Sequence, residues 1–323
     1  MAVEFRRPTA TSPSTMPPTS PDSSKAAARL RFLALVGILG ISFSAIFVRL
    51  ADAAYSTTAF FRVAYAVPVL ALLWLWRRRD DQRSRRDRWL ALAAGVFLAI
   101  DFAFWHRAID HIGAGLATVL GNTQVVFVGF AAWWLHGERP SRRAMATLPL
   151  VLAGVVLISG LGGAASYGDR PLAGVVYGIL TGITYALFLL SFRQAAQGGA
   201  PTVAPLLDAT FGATVASLFL GWADGGLELA FHWPSHGWML ALALVAQVFG
   251  WLLISHALPR LPALETSIML LMQPMLTVLW GRLLFAEVLS PVQWLGVASV
   301  LAGIGWISLG AVPRRKAAPG STP

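Results

Sequence analysis

Apolar runs of 17 to 24 residues, separated by short polar or basic stretches, recur from residue 32 to residue 311. The first half holds runs at 32–51, 57–76, 89–109, 114–136 and 144–160. The second half holds runs at 171–192, 201–222, 237–257, 263–286 and 291–311. A helix needs roughly 20 apolar residues to cross the hydrocarbon core. Inside that core only helices and closed barrels satisfy every backbone polar group. The runs are continuous, whereas barrel strands alternate. The pattern predicts an all-α polytopic membrane protein with ten transmembrane helices.

The chain also contains itself twice. Residues 100–159 lie over 249–308 at a fixed offset of 149, without a gap. Gln124 falls on Gln273, Glu138 on Glu287 and Ser141 on Ser290, and Val151-Leu152-Ala153-Gly154 falls on Val300-Leu301-Ala302-Gly303. Upstream, Gly40-Ile41-Ser42-Phe43 matches Gly182-Ile183-Thr184-Tyr185 at an offset of 142. Each copy has five spans. Two tandem units with an odd number of spans enter the membrane from opposite sides, so the repeats are inverted, about an axis in the membrane plane. The predicted units are 29–160 and 171–311, flanked by a disordered tail at 1–28 and a second tail at 312–323. Any substrate path is expected at the interface between the halves.

Composition fits this reading. Of 323 residues 56% are apolar and 12% charged, against about 25% charged in soluble domains. There is no cysteine, which removes disulfides, thiolate metal sites and cysteine nucleophiles. The net charge of +10 is a matter of topology, because the basic residues lie between apolar runs. With the N-terminus inside, 20 of the 25 Lys and Arg residues fall on the inner side and five, Arg49, Arg62, Arg107, Arg170 and Arg282, on the outer. This positive-inside split places both termini in the cytoplasm. Nucleic acid is not expected as a partner; the lipid bilayer and a small-molecule substrate are.

Charged and amide groups at bilayer depth are costly and mark candidate sites. Asp101 leads them. Phe97, Asp101, Trp105 and Ala108 share a helix face, so Asp101 could receive an ammonium group or carry a proton; a structural ion pair with Arg62 or Arg107 is the alternative. His106 could titrate near neutrality or serve as an interfacial hydrogen-bonding group. Asn122, Gln124, Gln247 and Gln273 are amides within spans. They could bind a zwitterion or bridge helices. Tyr65, Trp105, Tyr185 and Trp251 are deep aromatics that could line a pocket or pack against neighbours. Asp208, near an inner end, is expected to be solvated. Gly174, Gly178 and Gly182 form a small-residue packing face. Glu138 and Glu287, each followed by Ser141 and Ser290, read as turn-fixing residues with a serine N-cap. Pro68, Pro149, Pro205 and Pro274 lie within spans and can kink them.

Glu287-Val288-Leu289-Ser290, followed by Gln293, Gly296 and Leu301-Ala302-Gly303, resembles the EamA domain, and Gly137-Glu138-Arg139 resembles its first copy. Two such domains in tandem are similar to ten-helix members of the drug/metabolite transporter superfamily. The resemblance implies a secondary carrier of the bacterial inner membrane, working by alternating access as an exporter of amino acids or related small metabolites. Aromatic amino-acid exporters belong to this group. A lipid, isoprenoid or drug carrier of the same fold is the alternative. No GxxxxGK[ST], HExxH or GxGD pattern is present, so neither ATP hydrolysis nor intramembrane proteolysis is expected, and no cofactor or metal is expected.

Overall fold

The computed structural model describes residues 21–137, 140–158, 170–197, 201–285 and 290–309. Among them the chain is helical and carries no strand. The helices are α1 (Pro21–Ser42), α2 (Ser44–Ala51), α3 (Tyr55–Ala64), α4 (Ala66–Arg77), α5 (Arg85–Gly121), α6 (Gln124–His136) and α7 (Arg142–Ile158) in the first half. The second half holds α8 (Pro171–Ala195), α9 (Val203–Ala223), α10 (Ser235–Ala241), a π-helix over Leu242–Gly250, α11 (Trp251–Ala257), α12 (Ala263–Leu270), α13 (Met272–Phe285) and α14 (Pro291–Leu309).

Seven helical stretches are long and apolar enough, by length and composition, to cross a membrane: Lys25–Ala51, Tyr55–Asp80, Arg85–His111, Leu172–Ala195, Val203–Ala223, Ser235–Arg260 and Ala263–Phe285. The other three predicted spans correspond to the shorter α6, α7 and α14.

Several breaks have a local chemical cause. Pro68 and Pro274 cannot donate to the carbonyls four residues back, and α3 and α12 end at those residues, Ala64 and Leu270. Pro205 sits in the first turn of α9, where a missing N–H costs little, and Pro149 lies inside an unbroken α7. The first span breaks at Phe43 without a proline. There α13 takes up the freed groups: Thr277 Oγ1 donates to the Ser42 carbonyl (3.0 Å) and Trp280 Nε1 to Ser42 Oγ (2.8 Å).

Helix α5 runs from Arg85 to Gly121 by backbone conformation, yet it cannot be straight. A Cβ placed on Gly121 would lie 4.0 Å from Trp105 Cδ1, while 16 residues of straight helix span about 24 Å. Ala108 and Ala117 likewise share one small apolar cluster. The chain therefore doubles back between Trp105 and Gly121, in line with the boundary predicted between 109 and 114. In the second copy the equivalent positions 259 and 262 are prolines, and the helix there ends outright.

The two halves pack with reciprocal contacts. A Cβ on Gly154 would meet Val300 at 2.8 Å, and one on Gly303 would meet Val151 at 2.3 Å. Residues 151 and 154 are the repeat equivalents of 300 and 303, so α7 and α14 touch through the same patch twice, as a twofold relation requires. The expected glycine face of α8 is also a packing face: Gly178 abuts Leu120, and Gly182 abuts Thr123 and the Gln124 backbone. The tightest approach was not anticipated. It joins α5 and α9, where a Cβ on Gly95 would lie 1.9 Å from the Ala209 carbonyl and one on Gly212 2.3 Å from that of Leu92.

Candidate functional site

One set of polar groups gathers where α3 and α5 of the first half meet α8, α9 and the π-helix of the second. Arg62 comes from the last turn of α3. Its Nε donates to Gln247 Oε1 (3.2 Å), and Gln247 Nε2 in turn donates to Thr210 Oγ1 on α9 (3.3 Å). Gln247 and Thr210 are fully buried. The arginine carbon Cζ stands 4.9 Å from the centre of the Phe102 ring, a cation–π distance. Asp101, next to Phe102 on α5, is 7% exposed. Asp101 and Tyr185 both lie within electrostatic range of Arg62. Asp101 and Arg62 do not close into an ion pair: no guanidinium nitrogen comes within 4.0 Å of the carboxylate. Arg107, the other partner considered for Asp101, pairs with Asp224 instead.

A cleft of about 330 Å³ opens at the end of the bundle that carries the loops after α2 and α9; it is lined by Phe102 but not by Arg62, Asp101 or Gln247. Tyr55, Phe102, His106, Arg107, Ser217 and Asp224 are among its lining residues. His106 stacks on Tyr55 with ring centres 4.5 Å apart. Phe102 both lines the cleft and carries Arg62 against its ring.

The remaining sequence candidates are dispersed. Tyr65 donates from its hydroxyl to His236 Nδ1 (2.6 Å), since His236 Nε2 must donate to the Ala230 carbonyl (3.0 Å). Trp105 packs beside Leu120 and Tyr177, 5.3 Å from the His106 ring. Trp251 lies edge-on to Phe188 and Phe192 within the apolar core. Asn122 occupies the break between α5 and α6 and is half-buried. Gln124, at the start of α6, donates to the Ser267 carbonyl (3.5 Å), while its Oε1 is buried without a hydrogen-bond donor. Gln273 is half-buried in the first turn of α13. Ser141 caps α7 as expected, accepting from the Ala144 amide (3.1 Å). Glu138 and Glu287 lie outside the described residues.

The sequence offers Arg62 only as a counter-ion for Asp101; the structure makes it the hub of the group. Its signal was available: an arginine inside an apolar span, which a bilayer tolerates only with partners. The π-helix that presents Gln247 left no comparable trace; wide turns of this kind occur often at functional sites.

The end of the bundle away from the cleft is tied shut by charge. Arg31 of α1 binds Glu265 of α12. Arg193 donates to the Leu258 and Leu261 carbonyls (3.2 and 3.1 Å). In the loop after α4, Arg83 pairs with Asp81 (2.9 Å) and, across to α9, with Asp208 (2.9 Å), so Asp208 is an ion-pair partner rather than merely solvated. Burial alone would raise the Asp81 pKa, but hydrogen bonds from Arg83 and from Trp74 and the charge of Arg83 hold it down at about 2.

Known proteins share this architecture. A solved crystal structure superposes with a TM-score of 0.73 at 16% identity, over 89% of this chain and 98% of that one, which shows a shared fold. The threonine/homoserine exporter RhtA of Escherichia coli K12 is 28% identical over 70% of this chain and 72% of its own length. An uncharacterized protein of Pseudomonas aeruginosa is 30% identical over 79% and 84%, and an uncharacterized transporter of Archaeoglobus fulgidus 26% identical over 68% and 76%. The profile of the EamA-like transporter family matches residues 30–160 and again 172–309. With two such matches covering most of its length, and a helical bundle whose halves pack reciprocally, the chain belongs to the EamA-like transporter family.

Proposed function

We propose that the protein exports amino acids or related small metabolites across the bacterial inner membrane by alternating access, with both termini in the cytoplasm. The observation that carries this reading is the placement of the polar group. Arg62 of the first repeat is hydrogen-bonded to Gln247 of the second and rests on the ring of Phe102, which follows Asp101 in the chain and lines a cleft. Charged side chains are retained inside a membrane span chiefly where they serve a translocated solute, and carriers built from inverted repeats bind at the repeat interface. A cleft of about 330 Å³ suits a small metabolite. The relative named as a threonine/homoserine exporter supports the substrate class. The 20-to-5 distribution of basic residues supports the orientation, in which the cleft faces outward and the ion pairs of Arg31 and Arg83 close the cytoplasmic end.

The test is efflux from proteoliposomes loaded with a panel of amino acids. Release of at least one amino acid well above protein-free vesicles is expected, and repetition with an imposed pH gradient separates proton coupling from facilitated diffusion. If no amino acid in the panel leaves faster than from loaded, protein-free vesicles, this reading is wrong.

A further inference from the structure

A partly buried arginine and a buried aspartate in one apolar bundle ordinarily close into a hydrogen-bonded pair, because a charge withdrawn from water pays a desolvation cost when it stands alone. Here they do not. Asp101 immediately precedes Phe102, whose ring carries Arg62, yet the two charges stay beyond ion-pair distance. Arg62 spends Nε on the neutral amide of Gln247 (3.2 Å), and among the hydrogen bonds of the described residues this is its only one, so both Nη groups of the fork are left over. Gln247 cannot easily turn away, because Thr210 holds its other end (3.3 Å). The guanidinium is thus fixed by one edge on the second repeat while its plane rests on Phe102. A positive fork and a negative carboxylate are held apart, on different helices of the first repeat, beside a cleft that Phe102 helps to line.

The geometry points to a zwitterion site: Arg62 receives the carboxylate of an α-amino acid through its free Nη edge, Asp101 receives the ammonium group, and Phe102 is the partition between this site and the outer cleft. This rests on the amino-acid reading above and sharpens it. A zwitterion carries both charges on adjacent atoms, so one solute completes both half-pairs at once. A fork matches a carboxylate with two parallel bonds, which a lysine ammonium cannot reproduce. An amine, an ester or an N-acylated amino acid completes only one half and leaves the other charge buried and unpaired, the situation that gives polar sites their steepest discrimination. Gln247 and Thr210 are positioning residues, and Phe102 must move for solute to pass.

The experiment uses the full-length protein in proteoliposomes and an amino acid found to be released in the panel. Competition is measured with its amide, its N-acetyl derivative and its decarboxylated amine. For the unmodified protein each analogue is expected to compete at least 10-fold more weakly than the parent. R62Q is expected to lose parent binding at least 10-fold and to treat acid and amide alike. D101N is expected to become indifferent to N-acetylation while still preferring acid to amide, and R62K to keep a reduced preference for the acid. Q247L should raise KM more than it lowers kcat. The analogue series on the unmodified protein stands even if a variant fails to fold. If amino acids are released but the three analogues compete as well as the parent, or R62Q keeps the wild-type preference for acid over amide, the zwitterion site is wrong while the exporter reading survives. If no amino acid is released at all, both fall.

Discussion

Alanine at Gly95 is the most demanding test of how the bundle is held together. A Cβ there would sit 1.9 Å from the Ala209 carbonyl oxygen, where ordinary contact begins at 3.4 Å. The obstacle is backbone, so no rotamer change relieves it, and α5 and α9 must part by about 1.5 Å at this crossing. Overpacking of this kind costs about 1–3 kcal/mol, and we expect the upper end because the strain is shared by two helices. At this chain length each kcal/mol moves Tm by about 2 °C, so a fall of about 6 °C is expected. The reciprocal glycine provides an internal check. A Cβ on Gly212 would lie 2.3 Å from the Leu92 carbonyl, so once Gly95→Ala has separated the helices, adding Gly212→Ala should cost clearly less than it does alone. Gly40→Ala is the control, since its Cβ would stand 3.2 Å from the Val245 carbonyl and needs a shift of only a few tenths of an ångström. The crossing also bears on function: α5 carries Asp101 and Phe102, and α9 carries Thr210, which anchors Gln247. Efflux should therefore fall more than stability does. The assay is thermal unfolding of purified protein in detergent, followed by efflux at a temperature where every variant is folded. A Gly95→Ala protein that melts within 1 °C of the control would refute the packing argument.

Three further outcomes follow from named contacts. Asp101→Asn should reduce efflux with expression and monodispersity unchanged, as measured by initial rates; a wild-type rate would remove Asp101 from the transport path. Because the Asp81 carboxyl is held at about 2, below its unfolded value, its contribution is present above about pH 4 and is lost as pH falls through 2; wild-type Tm should drop over that range, and Arg83→Gln, which leaves Asp81 and Asp208 without their shared cation, should lower Tm at pH 7 by the equivalent of about 3 kcal/mol. Tyr65→Phe removes the donor to His236 Nδ1 and should cost about 1–2 kcal/mol, read as a lower Tm; an unchanged Tm would show that water replaces the hydroxyl.

Much of the site was legible in the sequence, but unevenly. Asp101 and Gln247 stand out because polar groups within apolar runs are few, and both lie in the central group. Trp251 and Tyr65 carried the same kind of signal and lie elsewhere, one among phenylalanines and the other on His236. In lipid both the outward and the inward face of a helix are apolar, so periodicity does not tell which side an aromatic residue takes. Arg62 was assigned to the outer half-span by charge counting, a rule about loops that says nothing of a guanidinium turned toward the core.

The sequence by itself determined the class, the doubling and the twofold relation, because hydropathy, an odd span count and the distribution of arginine are properties of the chain read in order. Only the tertiary structure decided which polar residues meet. Arg62, Asp101, Tyr185, Thr210 and Gln247 are brought together from helices up to 185 positions apart in sequence, by crossings such as Gly95 on Ala209 whose closeness depends on the absence of a single carbon atom. Such contacts depend on where two helices cross, and a linear pattern of apolar residues carries no record of that.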